Sequence, residues 1–249
     1  MAGHSKWKQI KRKKAVTDAR RGAAFTKLIR EITVAAKQGG GDPAANARLR
    51  TAIDAAKADN MPLDNIERAI KKGTGELEGV QYQEVTYEGY GPGGAAIFIE
   101  ATTDNPNRTV AEIRHALSRN GGNLGAANSV AWMFDRKAQI TVDAATADED
   151  AALEAALEAG ADDLARDGDV LVITAPPNVL HAVQDRLKAR KIPVTGSEIT
   201  MLPKSTVKVE RKDAPQLLRL VETLEDMDDV ARVHSNFDID TDAMAEVVG

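Results

Sequence analysis

The N-terminal part of the chain alternates between a polar arm and short stretches with helical periodicity. Residues 1–16 are basic and carry no sustained apolar stripe, so we expect an arm that a partner would order. From about residue 18 to 37, apolar side chains recur every three or four positions, which predicts a helix with one buried face. These side chains are Phe25, Leu28, Ile29, Ile32 and Ala36.

Two further short helices are predicted before residue 75. The second helix, about 44–59, places Leu49, Ile53 and Ala56 on one face, and Met61-Pro62 then interrupts the chain. Asp64 and Glu67 have the spacing of a capping box for a third helix that ends near Gly73. Three short amphipathic helices can bury their stripes only against each other. Residues 1–75 therefore predict a basic arm followed by a three-helix domain.

From residue 80 the apolar pattern changes to that of strands. Two strands near 85–87 and 96–99 flank a glycine-rich turn, and a helix at 106–119 and a strand at 130–134 follow. A strand at 205–210, a helix at 214–225, a strand at 230–237 and a polar tail from 238 are predicted much later. Because each set is incomplete by itself, we expect one discontinuous domain made of 76–135 plus 204–240.

The segment between these two sets is self-contained. Residues 137–202 read as strand, helix, strand, strand, helix, strand, which is the ferredoxin-like order. The predicted fold class is therefore α+β, with an N-terminal three-helix domain followed by two ferredoxin-like α+β domains, one inserted into the other.

Charge is distributed very unevenly along the 249 residues. The whole chain has a net charge of −5, but residues 1–75 carry 17 Lys and Arg against 7 Asp and Glu, a net charge of +10. Residues 76–249 carry a net charge of −15. This asymmetry favours an anionic partner for the basic part, which the acidic remainder would help to orient.

Composition and motifs argue against several classes of function. The chain has no cysteine, which excludes disulfides and thiolate chemistry and fits a reducing compartment. The four histidines lie far apart in sequence, and no nucleophile motif occurs, so we expect no enzyme, no metal and no cofactor. No apolar run reaches the ~18 residues of a membrane span, so we expect a cytoplasmic protein without a membrane partner.

The basic arm and the first helix are the strongest candidate site. Phosphate backbones are bound by many cations at spacings that follow a charged strand. Trp7 lies between two lysines, where an aromatic ring can stack on an unpaired base. The competing interpretation is a merely solvated arm, with Trp7 packed on the helical domain. The candidate nucleic-acid-binding residues are Lys6, Trp7, Lys8, Lys11, Arg12, Lys13, Lys14, Arg20, Arg21, Lys27 and Arg30.

A second candidate lies between a predicted strand and the helix at 106–119. Backbone N–H groups at a helix N-terminus can bind an anion, and Arg108 could add a bidentate contact. Asp and Asn before a proline are also ordinary helix caps, and we favour that structural reading. The candidate anion or partner contacts are Asp104, Asn105, Asn107 and Arg108. Of the two glycine-rich turns, 89–94 predicts a hairpin turn, and 121–125 predicts a flexible contact loop.

Five ordered strings give a more specific indication. They are Gly3-His4-Ser5-Lys6-Trp7, the run 25–32 (FTKLIREI), Asn60-Met61-Pro62 with Asp64-Asn65-Ile66, the run 87–92 (YEGYGP), and Thr103-Asp104-Asn105 with Asn107-Arg108-Thr109. Together they closely resemble the YebC family along essentially the whole chain. One departure is visible at Gly125-Ala126-Ala127-Asn128-Ser129, where a further glycine is expected.

The resemblance implies a helical domain and two α+β domains, and it implies nucleic-acid binding. The family is widely named "probable transcriptional regulatory protein", which implies DNA. Its mitochondrial members are translational activators, and other members are linked to the ribosome during translation of difficult stretches such as consecutive prolines. The sequence offers no helix-turn-helix with a readable recognition helix, which weakens sequence-specific reading of DNA. The ribosome or ribosomal RNA is the expected target, and a DNA-binding transcriptional regulator is the alternative. A small-molecule effector-binding role is a third hypothesis, supported by fold analogy alone. The oligomeric state cannot be inferred from the sequence.

Overall fold

The computed structural model describes residues 18–239, with side chains from residue 22 onward. The helices are α1 (Asp18–Gly39), α2 (Ala47–Ala58), α3 (Leu63–Thr74), α4 (Pro106–Arg119), α5 (Glu149–Glu158), α6 (Leu180–Ala189) and α7 (Ala214–Glu225). The strands are β1 (Gln83–Tyr90), β2 (Ala96–Thr103), β3 (Asn123–Leu124), β4 (Phe134–Asp143), β5 (Asp163–Asp167), β6 (Val170–Ala175), β7 (Val194–Pro203), β8 (Val207–Lys208), β9 (Val230–Ser235) and β10 (Phe237–Asp238). This is the predicted α+β class, with N-terminal helices followed by two four-stranded antiparallel sheets and a two-stranded sheet.

The chain divides into two compact units. One unit contains residues 134–204, and the other contains the helical region together with the segments on either side of 134–204. Whether 137–202 also folds independently, and whether 1–75 is a separate domain, remain predictions.

Helices α1, α2 and α3 form a small core of their own. The predicted face of α1 is confirmed, since Ile32 and Ala36 are buried and Phe25, Leu28 and Ile29 pack against the same cluster. Helices α1 and α3 cross closely at Gly73, where an added Cβ would lie 2.4 Å from the carbonyl oxygen of Thr33.

The start of α3 differs from the sequence prediction. The residue before the helix is Pro62, which has no side-chain capping bond, and Asp64 lies inside the first turn. The predicted capping box of Asp64 and Glu67 is therefore wrong. Pro62, whose backbone is extended, occupies the cap position, so Asp64 cannot act as the cap. Asp64 instead places a negative charge near the N-terminal end of the helix dipole.

The first sheet is antiparallel, in the order β3-β1-β2-β9. One of its faces shares a core with α4 and α7, the two helices predicted at 106–119 and 214–225. The β1–β2 turn contains Gly93 and Gly94 at φ 72° and 75°, so the predicted hairpin turn with positive φ is confirmed. In this region the left-handed backbone favours glycine.

One strand predicted for this part of the chain is wrong. The predicted strand at 130–134 is a 3-10 turn at Ala131–Met133 followed by the first residue of β4. The edge strand is instead Asn123–Leu124, inside the segment predicted to be a flexible contact loop. It approaches β1 closely, since a Cβ at Gly122 would lie 2.5 Å from the carbonyl oxygen of Tyr90. The glycines of this segment therefore serve close strand packing.

A two-stranded parallel sheet, β8 with β10, lies at the end of the described chain. Only Val207–Lys208 of the predicted strand 205–210 is extended and paired. Ile239 is 4% exposed and belongs to the core shared by α4 and α7, so the polar tail does not begin at residue 238 as predicted. Residues 240–249 lie outside the described part.

The unit 134–204 has the predicted order of strands and helices. Its sheet is antiparallel with the order β5-β6-β4-β7, which is the ferredoxin-like arrangement. Helices α5 and α6 share one buried cluster with β4 and β6. Asp148 caps α5 by accepting a hydrogen bond from the N–H of Ala151.

Candidate nucleic-acid interface

The predicted nucleic-acid-binding residues fall into three groups. Those from Lys6 to Lys14 lie outside the described residues. Arg20 and Arg21 are in α1, but only their backbone is described. Lys27 and Arg30 are fully described, and both contact the α+β part of their own unit. Their role in binding nucleic acid remains a prediction.

Arg30 anchors α1 to the loops around the first sheet. Its Nη1 donates to the carboxylate of Asp229 at 2.7 Å and to the carbonyl oxygens of Asp228 at 2.7 Å and Thr102 at 3.2 Å. The guanidinium carbon also lies 5.3 Å from the centre of the Tyr82 ring, which is within cation–π range. One turn earlier in α1, the ammonium of Lys27 donates to the carbonyl oxygen of Glu225. These two cations therefore hold the helix in place.

Asp229 is the centre of this junction. Its side chain is 6% exposed and accepts hydrogen bonds from four donors, which are Arg30, Arg108, Thr103 and Thr109. Burial by itself would raise the pKa of Asp229, but the hydrogen bonds from these donors outweigh it and lower the pKa to about 2. The carboxylate is therefore ionised at neutral pH, and both of its oxygens accept hydrogen bonds from inside the protein.

At the start of α4, the side chains of Arg108 and Thr109 donate to this internal carboxylate. Asn105 caps the helix by accepting from the N–H of Arg108 at 3.2 Å, as the structural reading expected. Arg108 donates to Asp104 at 2.8 Å and to Asp229 at 2.6 Å, whereas Asn107 is exposed. A contact of these residues with an external anion stays a prediction. The sequence could not reveal the internal anion, because Asp229 is 121 positions from Arg108.

A second ionic network links α1 and α2 to β1. Arg48 donates to Glu31 at 2.9 Å and also binds both carboxylate oxygens of Glu84. The hydrogen bond to Glu84, opposed by burial, raises the pKa of Arg48, and the same pair lowers the pKa of Glu84. Gln38 bridges the two partners. The helical region is thus fastened to the sheet at two places.

Glu88 binds a loop through backbone hydrogen bonds, and the sequence analysis did not predict this contact. The carboxylate of Glu88 is buried and accepts from the backbone N–H groups of Asn128 at 2.6 Å, Val130 at 2.6 Å and Ala131 at 2.8 Å. Burial would raise the pKa of Glu88, but these backbone hydrogen bonds prevail and lower it. An isolated glutamate in an alternating strand gives no sign that it will organise a loop some 40 residues away.

The same loop explains the departure from the family pattern. Asn128 has a φ of 64°, in the left-handed region. Asparagine tolerates this region better than other residues with a Cβ. Asn128 can therefore take a left-handed position in the string where a further glycine was expected.

Between residues 18 and 239, no group of three or more His, Asp or Glu side chains is arranged to hold a metal ion. Within the same range, no helix combines the length and the apolar character required to cross a bilayer.

Comparisons with known proteins cover the chain nearly end to end. Residues 5–76 match the family described as "TACO1/YebC protein N-terminal domain", and residues 82–237 match "TACO1/YebC second and third domain". A "Probable transcriptional regulatory protein" from Gemmatimonas aurantiaca is 63% identical over 246 residues, which is 99% of this chain and 100% of that protein. A protein with the same description from Desulfatibacillum aliphaticivorans is 56% identical, with 99% and 100% coverage.

A solved structure shows the same fold. The crystal structure of a conserved hypothetical protein from Aquifex aeolicus superposes with a TM-score of 0.83 at 49% identity. The match covers 92% of this chain and 94% of that one.

Proposed function

The chain belongs to the TACO1/YebC family, and from this premise we propose that it is a nucleic-acid-binding, non-enzymatic regulator of gene expression that acts on RNA at the ribosome. In this role it would ease translation through difficult stretches such as consecutive prolines. The binding element is the basic segment formed by residues 6–21, and the cytoplasm is the compartment of its action.

The charge distribution is the observation that carries this proposal. Residues 1–75 hold a net charge of +10 in a chain whose remainder is −15. Ten cations against one acid, Asp18, lie within residues 1–30. Such a density is the electrostatic footprint of a protein that neutralises phosphates. The acidic remainder would be repelled by phosphates, so the basic segment must make the first contact.

The contacts of α1 divide these cations into two sets. Lys27 and Arg30 are engaged with backbone carbonyls and a buried carboxylate. A phosphate that contacted them would compete with those partners. We therefore expect the cations that precede residue 22 to make the phosphate contacts.

RNA is the favoured nucleic acid for two reasons. Trp7 lies among the cations and offers a ring on which an unpaired base can stack, whereas the bases of a closed duplex are already stacked. The acidic remainder can also face basic ribosomal proteins, but it would be repelled along a uniform DNA rod. The alternative, a DNA-binding transcriptional regulator, is favoured by the names of the relatives. Basic arms are also known to enter DNA minor grooves.

The test compares two variants of equal charge. The arm variant replaces Lys11, Arg12, Lys13 and Lys14 by Gln. The control replaces four exposed cations of the helical region by Gln, namely Lys57, Arg68, Lys71 and Lys72. Both variants lose four positive charges, so a difference between them reports position and not net charge.

Co-sedimentation with ribosomes and binding to single-stranded RNA and to promoter and random DNA duplexes are measured over a range of salt concentrations. We expect the arm variant to lose ribosome and RNA binding and to lower the slope of log affinity against log salt by about 3 for single strands. We expect the control to change both much less. Tight, sequence-dependent duplex binding without ribosome association would instead support the transcription factor. Equal losses in both variants would show that net charge, and not the position of the arm, determines binding, and no loss in the arm variant would show that the arm is only solvated.

A further inference from the structure

The loop held by Glu88 exposes one large aromatic side chain. Trp132 is 64% exposed, more than any other large hydrophobic residue in the described part of the chain. It follows the three residues whose N–H groups bind Glu88, and it belongs to the 3-10 turn Ala131–Met133. An exposed tryptophan on a tightly held turn requires an explanation, because burial of an indole is strongly favourable.

The ring has a fixed orientation and no free donor. Its Nε1–H donates to the carbonyl oxygen of Ser129 at 3.1 Å within the same loop. That carbonyl also accepts from the hydroxyl of Tyr90 at 3.1 Å. With its only polar group satisfied inside the loop, the indole presents the flat faces of its π system to a partner and no directional hydrogen bond.

The loop that carries the ring is held by the buried carboxylate of Glu88. A buried carboxylate is stable only when hydrogen bonds or an opposite charge compensate its own charge. Glu88 accepts hydrogen bonds from three backbone N–H groups of this loop. Val130 is fully buried, and the N–H of Gly125 donates to the backbone carbonyl of Glu88 at 2.7 Å. Presenting a ring in one position reduces the entropy that a partner must overcome on binding.

We propose that Trp132 is a second stacking site, which binds an unpaired nucleobase of the RNA that the basic segment contacts. The inference rests on the proposed function, because the basic segment identifies the partner as a nucleic acid. Stacking on a ring without a free donor is independent of base identity, since every base has a π face. Ala126 and Ala127 of the same loop are also small and exposed.

The test measures binding of a fluorescently labelled single-stranded RNA of mixed sequence to the full-length protein. The variants are Trp132→Ala, Trp132→Phe and, as a matched control, Leu63→Ala, which removes a side chain that is 59% exposed on α3. We expect Trp132→Ala to weaken binding by on the order of tenfold and Trp132→Phe to retain most of the affinity. The salt slope should not change, because stacking neutralises no phosphate. Leu63→Ala should have no effect.

Each alternative outcome is decisive. Unchanged RNA affinity in Trp132→Ala, while the arm variant loses binding, would overturn this inference and leave the proposed function intact. Weakened ribosome binding with unchanged affinity for naked RNA would identify a protein partner for the ring and would also overturn it. Absence of RNA binding by the wild type would remove the proposed function and this inference together.

A spectroscopic measurement gives an independent readout. The protein is labelled with 5-fluorotryptophan, and the resonance missing from Trp132→Phe is assigned to Trp132. Single-stranded RNA should shift and broaden this resonance, and duplex RNA of the same length should not. An unchanged resonance at saturating single-stranded RNA would refute the stacking contact.

Discussion

Replacement of Asp229 by Asn tests whether α1 is held on the sheet by the buried carboxylate. The substitution keeps the size of the side chain and removes the charge that Arg30 and Arg108 share. It also places an amide NH₂ where only acceptor oxygens meet Arg30, Arg108, Thr103 and Thr109. At least one donor must then lose its partner or face another donor.

The magnitude follows from the burial of the group. Removing one member of a buried ion pair costs about 3–5 kcal/mol. Arg108 is 44% exposed, so part of its share is recovered by water. We therefore expect Asp229→Asn to lower the free energy of unfolding by about 2–4 kcal/mol near neutral pH.

The pKa of Asp229 gives a second estimate of its contribution to the free energy of unfolding. The pKa of Asp229 is about 2 in the folded protein against an ordinary value of 3.8. A lowered pKa means that the ionised group stabilises the fold above the unfolded-state value, and this stabilisation is lost as the pH falls from about 4 toward 2. At 1.36 kcal/mol per pKa unit, the contribution is roughly 2.5 kcal/mol. The difference in stability between the wild type and Asp229→Asn should shrink by most of this amount over that range.

The assay is urea unfolding followed by circular dichroism at several pH values between about 2.5 and 7. The control is Asp104→Asn, which breaks only the exposed pair with Arg108 and should cost less than about 0.5 kcal/mol. If Asp229→Asn were as stable as Asp104→Asn at neutral pH, or followed the wild-type pH curve, the junction would contribute nothing and the reasoning would be refuted.

Three other outcomes follow from the packing and the topology. Gly73→Ala should destabilise the helical region by about 1–3 kcal/mol in urea unfolding, because the new methyl group meets a backbone carbonyl of α1. The control Gly22→Ala should be neutral or stabilising, because its new methyl group has no atom within 4 Å. Glu88→Gln should speed amide hydrogen exchange in the loop that carries Trp132, and unchanged protection would contradict the role of the carboxylate. Residues 137–202 expressed alone should give a dispersed amide NMR spectrum, whereas 76–135 alone should not, and a dispersed spectrum from 76–135 would refute the inserted arrangement.

Periodic elements were predicted well because their signal is local. The helices at 106–119 and 214–225 were predicted with their exact bounds, and their apolar positions recur with the helical period on a face that is buried in the structure. The ferredoxin-like unit was predicted for the same reason, since its strands and helices alternate with clear turns. Side-chain periodicity depends only on neighbours a few positions away.

The errors share a different physical cause. Residues 130–134 have the composition of a strand, but Glu88 binds the N–H groups of Val130 and Ala131, which a ladder would otherwise use. The true edge strand contains only two residues, too few to show alternation. Ile239 looked like part of a polar tail because one apolar residue among acids carries no period. Each outcome depends on a contact that is distant in sequence.

The candidate site shows the same contrast between local sequence signals and contacts that are distant in sequence. Composition predicts a basic segment as a whole, but it does not show which of its cations hold the fold. Among the described side chains, Lys27 and Arg30 do so through partners that lie 198 and 199 positions away, the carbonyl of Glu225 and the carboxylate of Asp229. The charge of Arg30 is paired with the buried carboxylate of Asp229, and its Nη1 group also donates to two backbone carbonyl oxygens. The salt dependence of nucleic-acid binding should therefore follow the cations before residue 22, whereas the stability of the fold should follow Arg30.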